Sequence, residues 1–158
     1  MKTRTLVSIL ILVLAVLIIA GSCATGKKMI TVDDAMKKFE GVYVNTEYSG
    51  QKPTQPQKFV ITSDGRMEDW SHATNEYPSY KGTYTVAESW MDSKGNMYCK
   101  VDLNYGGART QELWKLDESG NTLEVNYKYK YGSGGEYPIK IDPDVESPLY
   151  YCIWYRQE

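Results

Sequence analysis

Apolar and polar side chains alternate with a period of two along much of this chain, and no other feature restricts its fold as strongly. The apolar face of residues 97–105 consists of Met97, Cys99, Val101, Leu103 and Tyr105. Residues 123–131 repeat the pattern with Leu123, Val125, Tyr127, Tyr129 and Tyr131. This period is typical of β-strands that bury one face. Together with 14 Tyr and 4 Trp against 2 Phe, and with 13 Gly and 6 Pro, it favours short strands joined by turns over a helical bundle.

Eight segments have the length, the pattern and the flanking turn residues of strands. They are residues 42–48, 58–63, 66–71, 80–90, 97–105, 109–116, 123–131 and 149–156. Asp64-Gly65 predicts a two-residue hairpin turn, because both of its positions require a positive φ. The connection at residues 132–148 is long for a plain hairpin, so we expect it to contain either a functional lid or a short extra strand at residues 137–141.

We therefore predict an all-β fold, an eight-stranded antiparallel up-and-down barrel. Hairpin-connected strands with one apolar face each can bury those faces and remove both sheet edges by closing on themselves. A two-sheet sandwich is the alternative. Before the strands, Thr31 is a suitable cap for a short amphipathic helix at Val32–Phe39, with Asp33 and Asp34 in its first turn. We expect this helix to close one end of the barrel.

The N-terminal residues have the features of an export signal. Lys2 and Arg4 precede residues 6–20, in which Ser8 is the only polar side chain. These fifteen residues are few for a permanent membrane span, which needs about 20, and they suit the apolar region of a signal peptide. The stretch Ile19-Ala20-Gly21-Ser22-Cys23 follows, and it resembles the lipobox of bacterial lipoproteins.

The lipobox resemblance implies cleavage before Cys23, lipidation of Cys23 and anchoring in a lipid bilayer. We therefore divide the chain into a signal peptide (residues 1–22), the lipidated cysteine with a polar tether (23–30) and the barrel domain (31–158). Ala24 occupies the position at which an inner-membrane retention signal carries Asp. This favours the outer membrane, in an organism that has one, as the location within the cell envelope.

The net charge argues against nucleic acid as a partner. The chain has 18 basic and 20 acidic side chains, and two of the basic ones, Lys2 and Arg4, lie in the leader. The remainder thus has 16 against 20 and a formal charge of −4. Binding to phosphates requires clustered Lys and Arg. Export also removes nucleic acid as an explanation for the alternating Tyr and Lys residues of the segment 127–131.

Several short motifs resemble the lipocalin-like domains of many bacterial lipoproteins. They are Gly41-Val42-Tyr43, Asp64-Gly65, Tyr80-Lys81-Gly82-Thr83-Tyr84, Gly120-Asn121-Thr122-Leu123 and Trp154-Tyr155-Arg156. In true lipocalins the first strand carries Gly-x-Trp, and a basic residue of the last strand lies across that Trp. Here Tyr43 replaces the Trp, and the resemblance implies Arg156 as its structural partner.

The lumen of an eight-stranded barrel is filled by side chains or holds one small ligand. We expect either a binding module for a small hydrophobic or amphipathic ligand or a structural module of the envelope. The candidate ligand-binding residues in the lumen are Tyr84, Val101, Leu103, Tyr127, Tyr129 and Trp154.

Cys99 and Cys152 leave two possibilities open. An exported compartment allows them to form a disulfide. However, the predicted strands that carry them are not neighbours, and a bridge needs Cα atoms within about 7 Å of each other. The alternative is a pair of buried free thiols.

No catalytic or metal-binding constellation is apparent, so we expect a protein that is not an enzyme and uses no cofactor or metal. His72 is the one histidine, and no cysteine or carboxylate lies near it at a metal-ligand spacing. Asp142, Asp144 and Glu146 alternate like the start of a calcium loop but lack its Gly and its distant Glu. We interpret them as a solvated acidic loop.

A protein-interaction role is the alternative function. Gly107-Ala108-Arg109 is similar to part of the Ser-Gly-Ala-Arg loop of membrane-bound lysozyme inhibitors, which are also small β-barrel lipoproteins. This resemblance implies inhibition of a lysozyme or another hydrolase. Beyond it, the sequence identifies no protein partner.

Overall fold

The computed structural model of the chain describes residues 26–48, 56–105, 107–130, 136–144 and 149–158. Within these ranges it contains one helix, α1 (Val32–Phe39), and nine strands. The strands are β1 (Lys28–Met29), β2 (Gly41–Tyr48), β3 (Gln57–Ile61), β4 (Arg66–Trp70), β5 (Tyr80–Met91), β6 (Met97–Tyr105), β7 (Ala108–Leu116), β8 (Thr122–Lys130) and β9 (Leu149–Arg156). The predicted signal peptide and Cys23 lie outside the described residues.

Eight of the strands form a closed antiparallel barrel, which confirms the predicted fold class. Each strand from β2 to β9 pairs with its neighbours in the sequence, and β2 also pairs with β9, which closes the ring. A sheet closed on itself buries its inward side chains and leaves no open edge among these eight strands. The sandwich alternative is therefore wrong. No helix in the described part of the chain is long and apolar enough to cross a membrane.

Two short segments differ from the predictions. The predicted tether contains β1, whose residues Lys28 and Met29 pair with Met91 and Trp90 of β5. Two residues are too few for an alternating pattern to be recognised in the sequence. In the long connection, the short extra strand at residues 137–141, one of the two alternatives, does not form, and this stretch is irregular.

Residues 136–144, the described middle of the long connection, lie against the outer wall of the barrel. The Tyr137 hydroxyl donates a hydrogen bond of 2.6 Å to Asp102 on β6. Asn126 on β8 binds both backbone groups of Asp142, because its Nδ2 donates to the carbonyl at 3.0 Å and its Oδ1 accepts from the N–H at 2.6 Å. Hydrogen bonds to side chains on the outer faces of β6 and β8 thus hold this segment, rather than backbone bonds to a neighbouring strand.

Three hairpin turns share a geometry that differs from the predicted two-residue turn. Each contains a glycine with a positive φ: Gly65 (85°), Gly95 (86°) and Gly120 (77°). The N–H of each glycine donates to a carbonyl three residues earlier, in Thr62, Asp92 and Asp117 respectively. At Gly65 and Gly95 this is a three-residue loop, in which a type I turn is followed by a left-handed residue. The loop at Gly120 has four residues, because the Asp117 N–H donates to the Thr122 carbonyl. The Asp64-Gly65 prediction was therefore right about the hairpin and wrong about the loop length.

Helix α1 closes one end of the barrel, as predicted. The Thr31 Oγ1 caps it by accepting a hydrogen bond of 3.1 Å from the Asp34 N–H. Phe39, at the last position of the helix, is buried, and its ring lies 5.7 Å from the ring of Trp114 inside the barrel. The apolar face of the helix thereby covers the core.

Arg156 links this helix to the wall of the barrel. Its Nη2 donates to the Lys38 carbonyl at 2.6 Å and to the Tyr43 hydroxyl at 2.5 Å. The guanidinium carbon lies 5.2 Å from the centre of the Tyr43 ring, a cation–π distance. The Tyr43 hydroxyl in turn donates to the Phe39 carbonyl at 2.8 Å. A basic residue of the last strand therefore lies across the aromatic side chain of the first strand of the barrel.

The half of the barrel next to α1 is filled by side chains. Trp114 lies in this half, with its ring 5.9 Å from that of Phe59 and 5.5 Å from that of Tyr84. Val101 is fully buried, and the buried Tyr84 donates a hydrogen bond of 2.7 Å from its hydroxyl to the Thr62 carbonyl. Burial raises the pKa of Tyr84, so its hydroxyl stays protonated. These buried side chains form the core of the barrel in this half.

Candidate functional site: an acidic cavity in the barrel lumen

The half of the barrel away from α1 encloses a cavity of about 230 Å³ that is partly open to solvent. We call it the lumen cavity. Its hydrophobic and aromatic wall includes Phe59, Leu103, Val125, Tyr127 and Trp154, and its polar wall includes Gln57, Asp69 and Glu112. Apolar cavities of about 150 Å³ hold a benzene molecule. The lumen cavity therefore has room for a single ring with a short side chain.

The direction of the strands explains why the lumen cavity lies opposite the helix. Strand β2 begins directly after α1, and successive strands run in opposite directions. The first residue of β3, Gln57, and the last residue of β6, Tyr105, thus lie at the far end of the barrel, and both line the cavity. Because side chains alternate between the two faces of a strand, every second residue near this end points into the lumen.

Three of the six predicted lumen residues line this cavity, namely Leu103, Tyr127 and Trp154. Tyr84 and Val101 point into the barrel, as the alternation predicts, but they lie in the filled half and contribute to the core. The side chain of Tyr129 lies outside the described residues. Alternation alone gives the face of a strand, whereas the position along the barrel axis depends on how the strands are staggered.

Glu112 is a deeply buried acid in the cavity wall, with 6% of its surface exposed. The Thr110 hydroxyl donates to its Oε1 at 2.7 Å, and the Trp114 Nε1 donates to its Oε2 at 2.5 Å. Burial raises the pKa of Glu112 more than these two hydrogen bonds lower it, and the charge of Asp69 raises it further. A carboxylate in such surroundings is stable when it is protonated or when a cation lies beside it.

Asp69 is a second acidic side chain that lines the cavity. It lies on β4 directly opposite Phe59 of β3. Burial raises its pKa from 3.8 to about 6, and burial is the only cause of the shift. Thus no side chain within the described ranges stabilises its charge by a hydrogen bond or an ion pair. Near neutral pH the carboxylate is largely ionised and faces the cavity without a partner.

Sequence reasoning missed both acids. The available signal was their position: Glu112 precedes Trp114 by two residues and Asp69 follows Met67 by two, so each shares a strand face with a large apolar side chain. An acid on the apolar face of a predicted strand indicates a polar site within the core. The pattern in residues 66–71 and 109–116 was too irregular to identify the inward face with the same clarity as in β6 and β8.

Cys152 also lines the lumen cavity. Both Cys99 and Cys152 are buried free thiols. Trp114 and Val125, on the two strands between them, occupy the same level of the barrel, and each strand step is about 4.8 Å, so the cysteines are too far apart to bond. Burial raises the pKa of Cys99 to about 12 and raises that of Cys152 as well. Both are protonated thiols, which are poor nucleophiles.

The other side chains considered from the sequence lie away from the cavity wall. His72 is exposed in the connection between β4 and β5. Asp142 forms an ion pair of 2.5 Å with Lys140, while Glu146 lies outside the described residues. Arg109 is exposed beside the turn at Gly107. The hypothesis of a hydrolase inhibitor therefore rests only on the sequence motif.

Comparison of the chain with models of protein families, with curated proteins and with solved structures gives no match. The lumen cavity combines an aromatic wall, two carboxylates and a partial opening to solvent. Such a mixture of apolar surface with a few convergent polar groups is typical of small-molecule sites.

Proposed function

We propose that this protein is an exported, lipid-anchored module that binds a small molecule in the lumen of its barrel. The lumen cavity supports the binding role, because close-packed protein interiors do not normally keep a void of about 230 Å³. The core beside α1 shows that this sequence can fill its lumen with side chains. The opposite half, built by the same strands, stays partly empty.

Native mass spectrometry of the full chain, extracted from membranes in detergent micelles, tests the binding role. We expect a co-purifying small molecule that is lost in Leu103→Trp, because the larger indole would occupy the cavity. Val42→Trp is the matched control, since it adds the same side chain to an exposed position on the outer face of β2. This control should keep the bound molecule.

A lumen that carries no ligand would give a different result. Neither the wild-type chain nor Val42→Trp would then carry any bound mass, and added 4-ethylphenol, a neutral single-ring probe, would not bind in calorimetry. Binding of the probe that persists undiminished in Leu103→Trp would also contradict the proposal, because it would place the site outside the cavity.

The membrane anchor is the second part of the proposal, and it depends on the leader. A basic start, a short apolar run and small residues lead directly to Cys23. Each buried methylene of an acyl chain contributes about 0.8 kcal/mol to membrane affinity, so two or more chains anchor a protein stably. The first described residue, Gly26, follows Cys23 by three positions, which leaves the barrel close to the bilayer if Cys23 is acylated.

Metabolic labelling with a radioactive fatty acid tests the anchor. We expect the label in the wild-type chain and in the control Ser22→Ala, which keeps a small residue before the cysteine. Cys23→Ala should carry no label, because the thiol that accepts the acyl group is absent. Equal labelling of Cys23→Ala and the wild-type chain would rule out this anchor.

A further inference from the structure

The lumen cavity is acidic, and this property restricts the class of ligand that fits it. Its wall contains the carboxyl groups of Asp69 and Glu112, on β4 and β7. The remaining titratable side chains on the wall are Tyr105, Tyr127 and Cys152, two phenols and a thiol. No Lys, Arg or His side chain of the described ranges lines the cavity, so no cationic side chain in this part of the chain balances a negative charge in its wall.

We propose that the lumen cavity binds a small organic cation, an aromatic amine or a related ammonium compound, with its positive charge beside Asp69 and Glu112. This inference rests on the proposed binding role and adds the chemical class of the ligand. An ammonium group can donate up to three hydrogen bonds. No donor among the described residues bonds the Asp69 carboxylate, and each oxygen of Glu112 has a further lone pair beyond its one bond to Thr110 or Trp114.

The rest of the cavity wall suits an organic cation better than a metal ion. Three aromatic rings of the wall are those of Phe59, Tyr127 and Trp154, and the rings of Phe59 and Trp154 lie 5.4 Å apart. Aromatic faces attract cations and also pack against the ring of a ligand. A bare metal ion would leave this apolar surface uncovered. In addition, the described residues contain no group of three or more side chains placed to ligate a metal.

The charge preference can be measured with two probes that differ only in the ammonium group. Tyramine and 4-ethylphenol share a ring, a hydroxyl and a two-carbon chain, and near neutral pH only tyramine carries a positive charge. Calorimetry on the full chain in lipid nanodiscs at pH 7.5 should show tyramine binding at least about tenfold more tightly, a difference that corresponds to one charge-assisted contact. Empty nanodiscs correct for partition into lipid.

Variants of β4 separate the effect of the cavity charge from that of the surface charge. Asp69→Asn should remove most of the preference for tyramine over 4-ethylphenol. Glu68→Gln is the matched control, because Glu68 lies on the opposite face of the same strand, where it pairs with Lys81 at 3.2 Å. Glu68→Gln removes one negative charge from the surface and should keep the full preference for tyramine.

The wild-type chain provides a test that does not depend on any variant folding. Tyramine keeps its charge over the whole range from pH 8 to pH 5, whereas protons should displace it from Asp69 and Glu112. Its affinity should therefore fall severalfold below about pH 6, while that of 4-ethylphenol stays level.

Failure of this inference can be distinguished from failure of the binding role. If both probes bind equally and Leu103→Trp blocks both, the cavity is a binding site without charge selectivity, and only the cation proposal is wrong. A preference for tyramine that survives in Asp69→Asn and does not change with pH would also overturn it. If neither probe binds, both proposals fail.

Discussion

Asp69 and Glu112 show how two acidic side chains can determine the charge of a cavity. A barrel of this size can bury its inward face with apolar side chains throughout, as it does beside Trp114. Two acids at inward positions oppose that packing, because an ionised group loses favourable hydration when it is buried. Their burial raises both pKa values, and a ligand that carries a positive charge would offset this cost.

The raised pKa of Asp69 predicts how stability depends on pH. The folded state binds a proton at Asp69 below about pH 6, whereas an ordinary Asp has a pKa of 3.8. Between these values the folded state holds more protons than the unfolded state, so the free energy of unfolding decreases as the pH rises. Without ligand, this decrease should amount to about 2 to 3 kcal/mol for Asp69 between pH 4 and pH 8, at about 1.4 kcal/mol for each unit.

Urea unfolding of Asp69→Asn at pH 4, 6 and 8 measures this effect. The variant should lose most of the decrease and be more stable than the wild-type chain at pH 8. Glu68→Gln should follow the wild-type curve to within about 0.5 kcal/mol, as expected for the loss of a surface ion pair. If the free energy of unfolding changed with pH equally in Asp69→Asn and in the wild-type chain, Asp69 would not titrate with a raised pKa.

Tyr43 provides a second prediction for a single residue. Tyr43→Phe keeps the ring but removes the hydroxyl that donates to Phe39 and accepts from Arg156. The buried Phe39 carbonyl would lose its donor, so we expect a loss of about 1 to 3 kcal/mol in the free energy of unfolding. Tyr155→Phe is the control, since Tyr155 is 43% exposed. Equal effects of the two variants would mean that the contact with Arg156 adds nothing to stability.

At the scale of the elements, strands β5 and β6 approach each other closely at Gly82, and a substitution there can test this contact. Gly82 on β5 lies opposite Tyr105 on β6. A Cβ atom added at Gly82 would collide with the Asn104 carbonyl oxygen and would lie 2.7 Å from the Tyr105 Cβ. The contact is with backbone, so the neighbour cannot rotate away. This position therefore requires glycine, because any larger residue would collide with the neighbouring strand.

Gly82→Ala should destabilise the protein by about 2 kcal/mol or more, in the range known for overpacked sites. Thermal and urea unfolding measure this effect. Thr83→Ala on the same strand is the control, because Thr83 is exposed, and it should cost less than about 1 kcal/mol. If Gly82→Ala unfolds like Thr83→Ala, the two strands do not approach each other as closely as the structure shows.

At the scale of the whole molecule, closure depends on the pairing of β2 with β9, the first and last strands of the barrel. Their registered pairs extend from Tyr43 with Arg156 to Tyr48 with Cys152, with one irregularity after Asn45. These contacts join residues more than 100 positions apart. Bringing such distant residues together costs loop-closure entropy before the stabilising contacts form. The barrel should therefore form as one cooperative unit.

A chain that ends at residue 148 tests this cooperativity. Loss of β9 leaves β2 and β8 as open edges and removes Cys152 and Trp154 from the core. We expect no cooperative urea transition and no near-ultraviolet circular dichroism of a packed core. A chain that lacks only the exposed Glu158 is the control and should unfold like the full chain. A sigmoidal transition of the short chain with an unchanged m-value would contradict the requirement for closure.

The strands could be predicted because alternation is a local property. In β6 and β8 each apolar residue is two positions from the next, and burying that face requires a strand whatever surrounds it. The pairing of β1 with β5 and the anchoring of residues 136–144 by Asn126 depend on contacts with distant residues. No local pattern records such contacts, so the sequence alone did not predict them.

By itself, the sequence determined the all-β class, the eight strands of the barrel, the helix that closes one end and the inward faces of the regular strands. Only the tertiary structure decided which inward residues fill the core and which surround a cavity. Tyr84 and Leu103 lie opposite each other on β5 and β6, yet only Leu103 lines the lumen cavity. The physical reason is that packing depends on volumes brought together from all eight strands. The same three-dimensional packing brought Asp69 and Glu112, 43 positions apart in the chain, to the wall of one cavity.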